Sequence, residues 1–258
     1  MKNLFIVGAQ RSGSTYLYEV LDGHHHVSMI HPVRPEPKFF MNEQLVAQGR
    51  DYYERTYFAD RKPDSLYLGE KSTSYIESPE ALRRMKAFYP DARILMILRD
   101  PVLRAYSNYR FSVAHMLEPL SFAEALAAEP ERLRSATFNT SVMPYAYRKR
   151  GLYIDYIESY LEVFDADQLC VLIFEEFVND LDSVQRLYQW LGVEKDFVPP
   201  SLKKPINPAT VEKEDQQATF RDLALGYRNS IVRLESWLGR RIEVWHEHHR
   251  MVCEGVPG

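Results

Sequence analysis

Cysteine is scarce in the 258 residues: there are two. Cys170 lies inside an apolar run and Cys253 near the C-terminus, so no disulfide framework is expected and a reducing, cytoplasmic compartment is the default. No apolar run approaches the roughly 20 residues of a membrane-spanning helix. Only Leu4 to Val7 separate Lys2-Asn3 from Gly8, too few for the apolar core of a secretory signal; they read as a buried strand. Nor is charge of one sign in excess. The net charge of −4 removes the basic footprint of a nucleic-acid or anionic-membrane binder, so any anion site must be local. There is no internal repeat, no low-complexity linker and no H-E-x-x-H pair. The histidine clusters at 24–26 and at His246, His248 and His249 lack companion cysteines, so no metal is expected.

What remains is a globular chain, 45% hydrophobic and 26% charged, long enough for a single domain over residues 1–258. Short apolar runs alternate with helical patterns. This predicts a three-layer α/β/α fold with a central parallel sheet. The expected strands are Leu4–Val7, Val27–Ile30, Tyr67–Gly69, Arg93–Leu98 and Leu169–Phe174. RILMIL and LCVLIF are apolar throughout, as strands covered on both faces should be. Leu17, Val20 and Leu21 predict a helix ending at Gly23. Asp100-Pro101 reads as N-cap and first helical residue of a helix to about His115. Tyr153 to Phe164 and Val184 to Leu191 are helical in spacing. A final helix should run from about residue 218 to Leu238 and stop at Gly239. The stretch Val198–Gln217 is expected to be a loop.

Four segments carry chemistry. GAQRSGST (8–15) follows the first strand and precedes the first helix, an arrangement whose backbone N–H groups hold phosphate. It differs from the P-loop G-x-x-x-x-G-K-[ST] by Ser14 in place of lysine, and Arg11 supplies a cation. The plain alternative is a strand–helix turn rich in small residues. In HPVRPEPKFF (31–40), Glu36 stands between two prolines beyond the second strand, where open α/β sheets bind ligands. It could act as a general base or be a solvated loop carboxylate. In GEKSTSY (69–75), Lys71 falls at a strand end. In RILMILRDPVLRAYSNYR (93–110), Arg99 leaves a buried strand and Ser107 lies on the following helix; the pair suits a phosphate, or Arg99 pairs with a neighbouring carboxylate. Asp100 reads as a helix cap or, in a rival reading, as a magnesium ligand.

Together these segments resemble sulfotransferases that use 3′-phosphoadenosine 5′-phosphosulfate (PAPS), especially the heparan sulfate-type domains and their bacterial relatives. The resemblance covers about residues 4–195. It implies a P-loop NTPase-like fold and makes GAQRSGST the 5′-phosphosulfate loop, with Arg11, Ser12, Gly13, Ser14, Thr15 and Tyr16 on the cofactor. It makes Glu36, followed by Lys38, Phe39 and Phe40, the proposed base, and gives Lys38 a part in holding sulfuryl oxygens or acceptor. The family segment E-K-T-P-x-Y puts Lys71 on the phosphosulfate bridge; Ser72 and Thr73 stand where the family has Thr and Pro. L-R-D-P-x-x-R-x-x-S, matched at Leu98, Arg99, Asp100, Pro101, Arg104 and Ser107, implies that Arg99 and Ser107 hold the 3′-phosphate. The family's Gly-x-Tyr is met at Gly151 and Tyr153. Lys203, Lys204 and Asn207 are candidates for the loop that closes over the cofactor.

The implied activity is transfer of a sulfuryl group from PAPS, leaving PAP, to a hydroxyl or less readily an amine of a glycan or small molecule. No metal, nucleic acid or membrane takes part. Acceptor choice is expected to lie in Asn42–Phe58, Phe111–Phe122 and Phe138–Lys149. Two rivals stand: a P-loop small-molecule kinase using ATP and magnesium, and a non-catalytic binding protein of the same fold.

Overall fold

The computed structural model describes residues 1–135, 143–203 and 216–254. In chain order the first elements are β1 (Lys2–Gly8), α1 (Ser14–Gly23), β2 (Val27–Met29), α2 (Glu43–Val46), α3 (Gly49–Tyr57), β3 (Tyr67–Lys71) and α4 (Pro79–Phe88). Then come β4 (Arg93–Leu98), α5 (Pro101–Ala114), α6 (Phe122–Ser135), α7 (Tyr153–Leu161) and β5 (Leu169–Ile173). The chain closes with α8 (Phe174–Phe177), α9 (Leu181–Leu191), α10 (Gln217–Leu238) and α11 (Glu243–Glu254). No helix among the described residues is long and apolar enough to cross a membrane. The chain divides into two compact units, Met1–Leu98 with Glu158–Ile206, and Arg99–Ile157 with Asn207–Gly258.

The first unit holds the sheet. All five strands are parallel, in the order β2-β3-β1-β4-β5. On one face Leu4 and Ile6 of β1, Val27 and Met29 of β2, and Leu95 and Ile97 of β4 pack with Leu17, Val20 and Leu21 of α1 and Val184, Leu187 and Tyr188 of α9. Alternation along the strands sends Phe5 to the other face, edge-on to Phe40 and beside Tyr89. Phe40 in turn meets Tyr53 of α3 and Phe88 of α4. The result is the three-layer arrangement expected from the strand–helix alternation.

Two expectations change. β3 runs two residues past Gly69, to Lys71, and all five of its residues are buried. β5 is not a doubly covered strand. It is an edge, and Cys170, Val171 and Leu172 are only half-buried. The Cys170 thiol is still pushed up to about 12 by burial, which suits an inert packing residue.

The second unit is helical. α5 begins where expected: Pro101 follows Asp100, whose Oδ1 accepts the N–H of Val102 at 2.8 Å and of Leu103 at 3.1 Å. α10 ends at Gly239, in the left-handed region at φ 68°, but it is not the last helix. α11 follows, anchored by the fully buried Trp245, and Cys253 belongs to it rather than to a tail.

Candidate active site

In the first unit, β1 delivers the anion loop. Gly8 has no room for a side chain, because a Cβ there would meet Ile76 at 2.8 Å. Gly13 has φ 86°, and a Cβ on it would strike the Phe174 ring at 2.3 Å. Arg11 shares the left-handed region at φ 67°. Gly13 caps α1 without a side-chain hydrogen bond, and the first turn carries no acidic residue. The N–H groups of Ser14, Thr15 and Tyr16 therefore have no intrahelical acceptor, and the positive end of the helix is not neutralised locally. Ser12 is fully buried, and its hydroxyl has no hydrogen-bond partner among the described residues. A buried orphan hydroxyl, uncapped N–H groups and a glycine cradle fit an anionic phosphosulfate. Tyr16 differs from the rest of the loop. Its ring stands edge-on to Phe177, and its hydroxyl accepts the Asn179 N–H at 3.0 Å, so it offers an anion only its backbone.

Beside the loop, Lys71 ends β3 opposite Ile6 of β1. Its side chain is 3% exposed, and its Nζ donates to Glu36 Oε1 at 2.6 Å. Thr73 donates its N–H to Glu36 Oε2 at 2.9 Å, and its hydroxyl lies 3.0 Å from each carboxylate oxygen. The two residues singled out thirty-five positions apart thus form one ion pair, at the C-terminal edge of the sheet. An ionised carboxylate offers about four lone-pair sites; Lys71, the Thr73 N–H and the Thr73 hydroxyl take three.

Glu70 is the residue that sequence reasoning passed over. It is fully buried, and it accepts hydroxyls from Tyr53 (2.6 Å), Ser72 (2.6 Å) and Tyr75 (2.5 Å). Ser72 also accepts the Lys38 N–H, and Tyr75 the Phe40 N–H, both at 3.0 Å. Glu70 thereby ties down both ends of the Lys38–Phe40 turn next to Glu36, while the Phe39 and Phe40 rings lock it into the aromatic layer. Burial raises Glu70's pKa against the pull of its three hydroxyl donors, and the nearby Glu36 charge adds to the rise. Lys38 has φ 51° and a half-buried side chain. The signal available was the glutamate of the quoted E-K pair.

In the second unit, Arg99 and Ser107 are half-buried. Tyr153 donates its hydroxyl to the Arg99 carbonyl at 2.8 Å, and Tyr153 packs beside Trp245. Gly151 is required because a Cβ would lie 2.6 Å from the Tyr227 ring. These contacts give the Gly-x-Tyr pair a structural role. Arg104 is fully buried and donates to the Tyr147 carbonyl, which makes it part of the support. Both oxygens of Asp100 are engaged: Oδ1 caps α5, while Oδ2 lies 3.0 Å from His248 Nδ1 and 3.0 Å from His249 Nε2. Burial opposes ionisation of Asp100, but the two histidines outweigh it and hold the carboxyl well below the usual range. The donor atoms of these three residues lie within 4.8 Å of one another. In the other cluster, His24 Nδ1 accepts the His26 N–H at 3.0 Å and Nε2 lies 3.0 Å from the Glu194 carbonyl, so both ring nitrogens are engaged. The Lys203 backbone ends a short turn, Pro200–Lys203. Lys204, Asn207 and the early part of Phe138–Lys149 lie outside the described residues.

The sheet and loop define a P-loop NTPase-like α/β fold whose anion loop has no lysine. The chain belongs to the sulfotransferase family: the model for the sulfotransferase domain matches residues 1–246, further than the 4–195 legible by motif. The bifunctional heparan sulfate N-deacetylase/N-sulfotransferase 1 of Xenopus laevis is 34% identical over 202 residues, or 74% of this chain. The protein of the same name from Homo sapiens is 33% identical over the same length. The chain spans about a fifth of these relatives, covering 22% of each. A crystal structure of a sulfotransferase from Alicyclobacillus acidocaldarius superposes with a TM-score of 0.76 at 32% identity, covering 95% of this chain and 99% of that one. Mouse sulfotransferase SULT7A1, solved in complex with PAP, shares the fold at TM-score 0.51 and 16% identity, covering 90% of this chain and 86% of that one.

Proposed function

We propose that this protein transfers a sulfuryl group from PAPS to a hydroxyl of a carbohydrate or small-molecule acceptor, with Glu36 as the base. The observation that carries the reading is the Glu36–Lys71 pair at the sheet edge, beside an anion loop with uncapped N–H groups and an orphan Ser12 hydroxyl. PAPS, when bound, supplies the sulfuryl group and departs as PAP. Glu36 accepts the acceptor's proton at its remaining lone-pair site as the new bond to sulfur forms. Lys71, Arg11 and the N–H groups of Ser14 to Tyr16 stabilise charge on the transferring group and the 5′-phosphate, and Lys38 assists in holding the acceptor or sulfuryl oxygens. Ser12 donates its hydroxyl to the same anion. Arg99 and Ser107 hold the 3′-phosphate, with Lys203 and Lys204 closing over the nucleotide. By analogy with phosphoryl transfer, catalysis here is positioning and charge stabilisation.

An amine acceptor is a second reading, favoured by the names of the relatives at 33–34% identity, which are N-sulfotransferases. Labelled PAPS offered with N-deacetylated heparan oligosaccharide, with fully N-acetylated oligosaccharide and with simple phenols separates the two. Transfer only to the first supports the amine. The kinase reading needs Asp100 for magnesium, and that carboxylate is already engaged as the α5 cap and by two histidines. PAP is expected to raise the melting temperature by several degrees, whereas ADP with Mg²⁺ at equal concentration is not. The reverse order would favour the kinase.

A further inference from the structure

Thr73 stands where the resembling E-K-T-P-x-Y segment has proline, and proline has neither an N–H nor a hydroxyl. Thr73 spends both donors on Glu36. Lys71 alone makes one bond, to Oε1, from the end of a flexible four-carbon stem, which leaves the carboxylate plane free to turn. The Thr73 N–H engages the other oxygen, and it belongs to backbone fixed by the sheet: Ser72 N–H donates to the Ile6 carbonyl at 3.1 Å, and the Tyr75 N–H to the Ser72 carbonyl at 3.0 Å. The hydroxyl, 3.0 Å from each oxygen, adds a second contact.

We infer that Thr73 is a positioning residue for Glu36, fixing the carboxylate plane so that one lone-pair site faces the acceptor. The inference rests on the reading of Glu36 as the base. The charged groups near Glu36 are Lys71, whose Nζ lies 2.6 Å from Oε1, and Glu70, the residue before Lys71, with Lys38 two residues further along the chain. Neither Lys71 nor Glu70 can replace the Thr73 donors: one already holds Oε1, and the other is an acceptor. Removing the Thr73 donors leaves the carboxylate held at Oε1 alone by Lys71, free to turn its lone pair away from the acceptor, while the nucleotide loop is untouched.

The test is steady-state turnover of labelled PAPS with whichever of the offered acceptors is turned over, kcat and acceptor KM determined separately, with Glu36→Gln as the reference for loss of the base. Thr73→Ser keeps both donors and is expected to keep kcat within about threefold of the wild type. Thr73→Val keeps only the N–H, and its kcat should fall roughly tenfold with acceptor KM little changed; Thr73→Pro keeps neither donor and should fall further. PAP affinity, read by calorimetry, should stay within about threefold in all three, because the loop is untouched. If Thr73→Pro does not fold, Thr73→Val carries the test. A kcat that matches the wild type in the Val variant overturns the role of Thr73 and leaves the base reading standing. Turnover surviving in Glu36→Gln overturns the base reading instead, whatever the Thr73 variants show.

Discussion

Glu70 and Asp100 are both buried carboxylates, and their surroundings push them in opposite directions. For Glu70, burial outweighs three hydroxyl donors, so the folded state holds the proton more tightly than the unfolded chain does. Its contribution to stability is fully present below the ordinary value near 4.5 and is lost as pH rises through the folded value. For Asp100, burial is outweighed by His248 and His249. Its contribution is present above the ordinary value near 3.8 and is lost as pH falls through the much lower folded value. Urea unfolding of Glu70→Gln and Asp100→Asn between about pH 3 and 8 checks both signs. The Glu70→Gln curve should gain on the wild type as pH rises. Asp100→Asn should lose about 1–3 kcal/mol at neutral pH, from a weakened cap and lost histidine partners, and the deficit should shrink in acid. A gap that stays constant with pH in either variant would remove that carboxylate from the assignment.

The elements carrying Arg99 and Ser107 show what a local pattern can and cannot reveal. Asp100-Pro101 announces the start of α5 because cap and first helical residue are adjacent in sequence, and the strand before it is apolar at every position after Arg93. What orients Arg99 was not legible in the same way. The Tyr153 hydroxyl comes from fifty-four residues away, and only the packed unit shows why Gly151 and Tyr153 occur as a pair. Helices were missed where their signals were weak or contrary. α6 contains Pro130, a helix breaker by rule, and α11 shows one buried anchor, Trp245, within a polar run of histidines. β5 read as a doubly covered strand because hydrophobicity does not report which strand ends the sheet. The proposal for this segment is checked by calorimetry with two nucleotides. Arg99→Ala should weaken PAP tenfold or more, on the order of a lost charged hydrogen bond, and adenosine 5′-phosphosulfate, which lacks the 3′-phosphate, much less. Tyr153→Phe should weaken PAP in the same sense by a smaller factor. Equal weakening of both nucleotides would refute the 3′-phosphate assignment.

For the molecule as a whole, the sheet and the strand–loop–helix at residues 8–15 could be read from sequence because each is announced within about ten residues, whereas Glu36 and Lys71 were marked out by the family resemblance. The contacts that join these residues could not be read. Lys71 and Thr73 reach Glu36 across thirty-five and thirty-seven residues, and Tyr53 reaches Glu70 across seventeen. A threonine in place of a family proline carries no local signal of its role; its two donors meet the carboxylate only in the folded chain. Membership in the sulfotransferase family fixes the frame, and the proposal that Glu36 moves the proton is the central claim within it. The most direct measurement is turnover of labelled PAPS by Glu36→Gln, with PAP affinity determined on the same preparation. The account predicts a fall of about 10²–10⁴-fold in kcat, the usual contribution of a positioned base, with PAP binding within about threefold of wild type. Turnover near wild type, or loss of PAP binding alongside turnover, would contradict it.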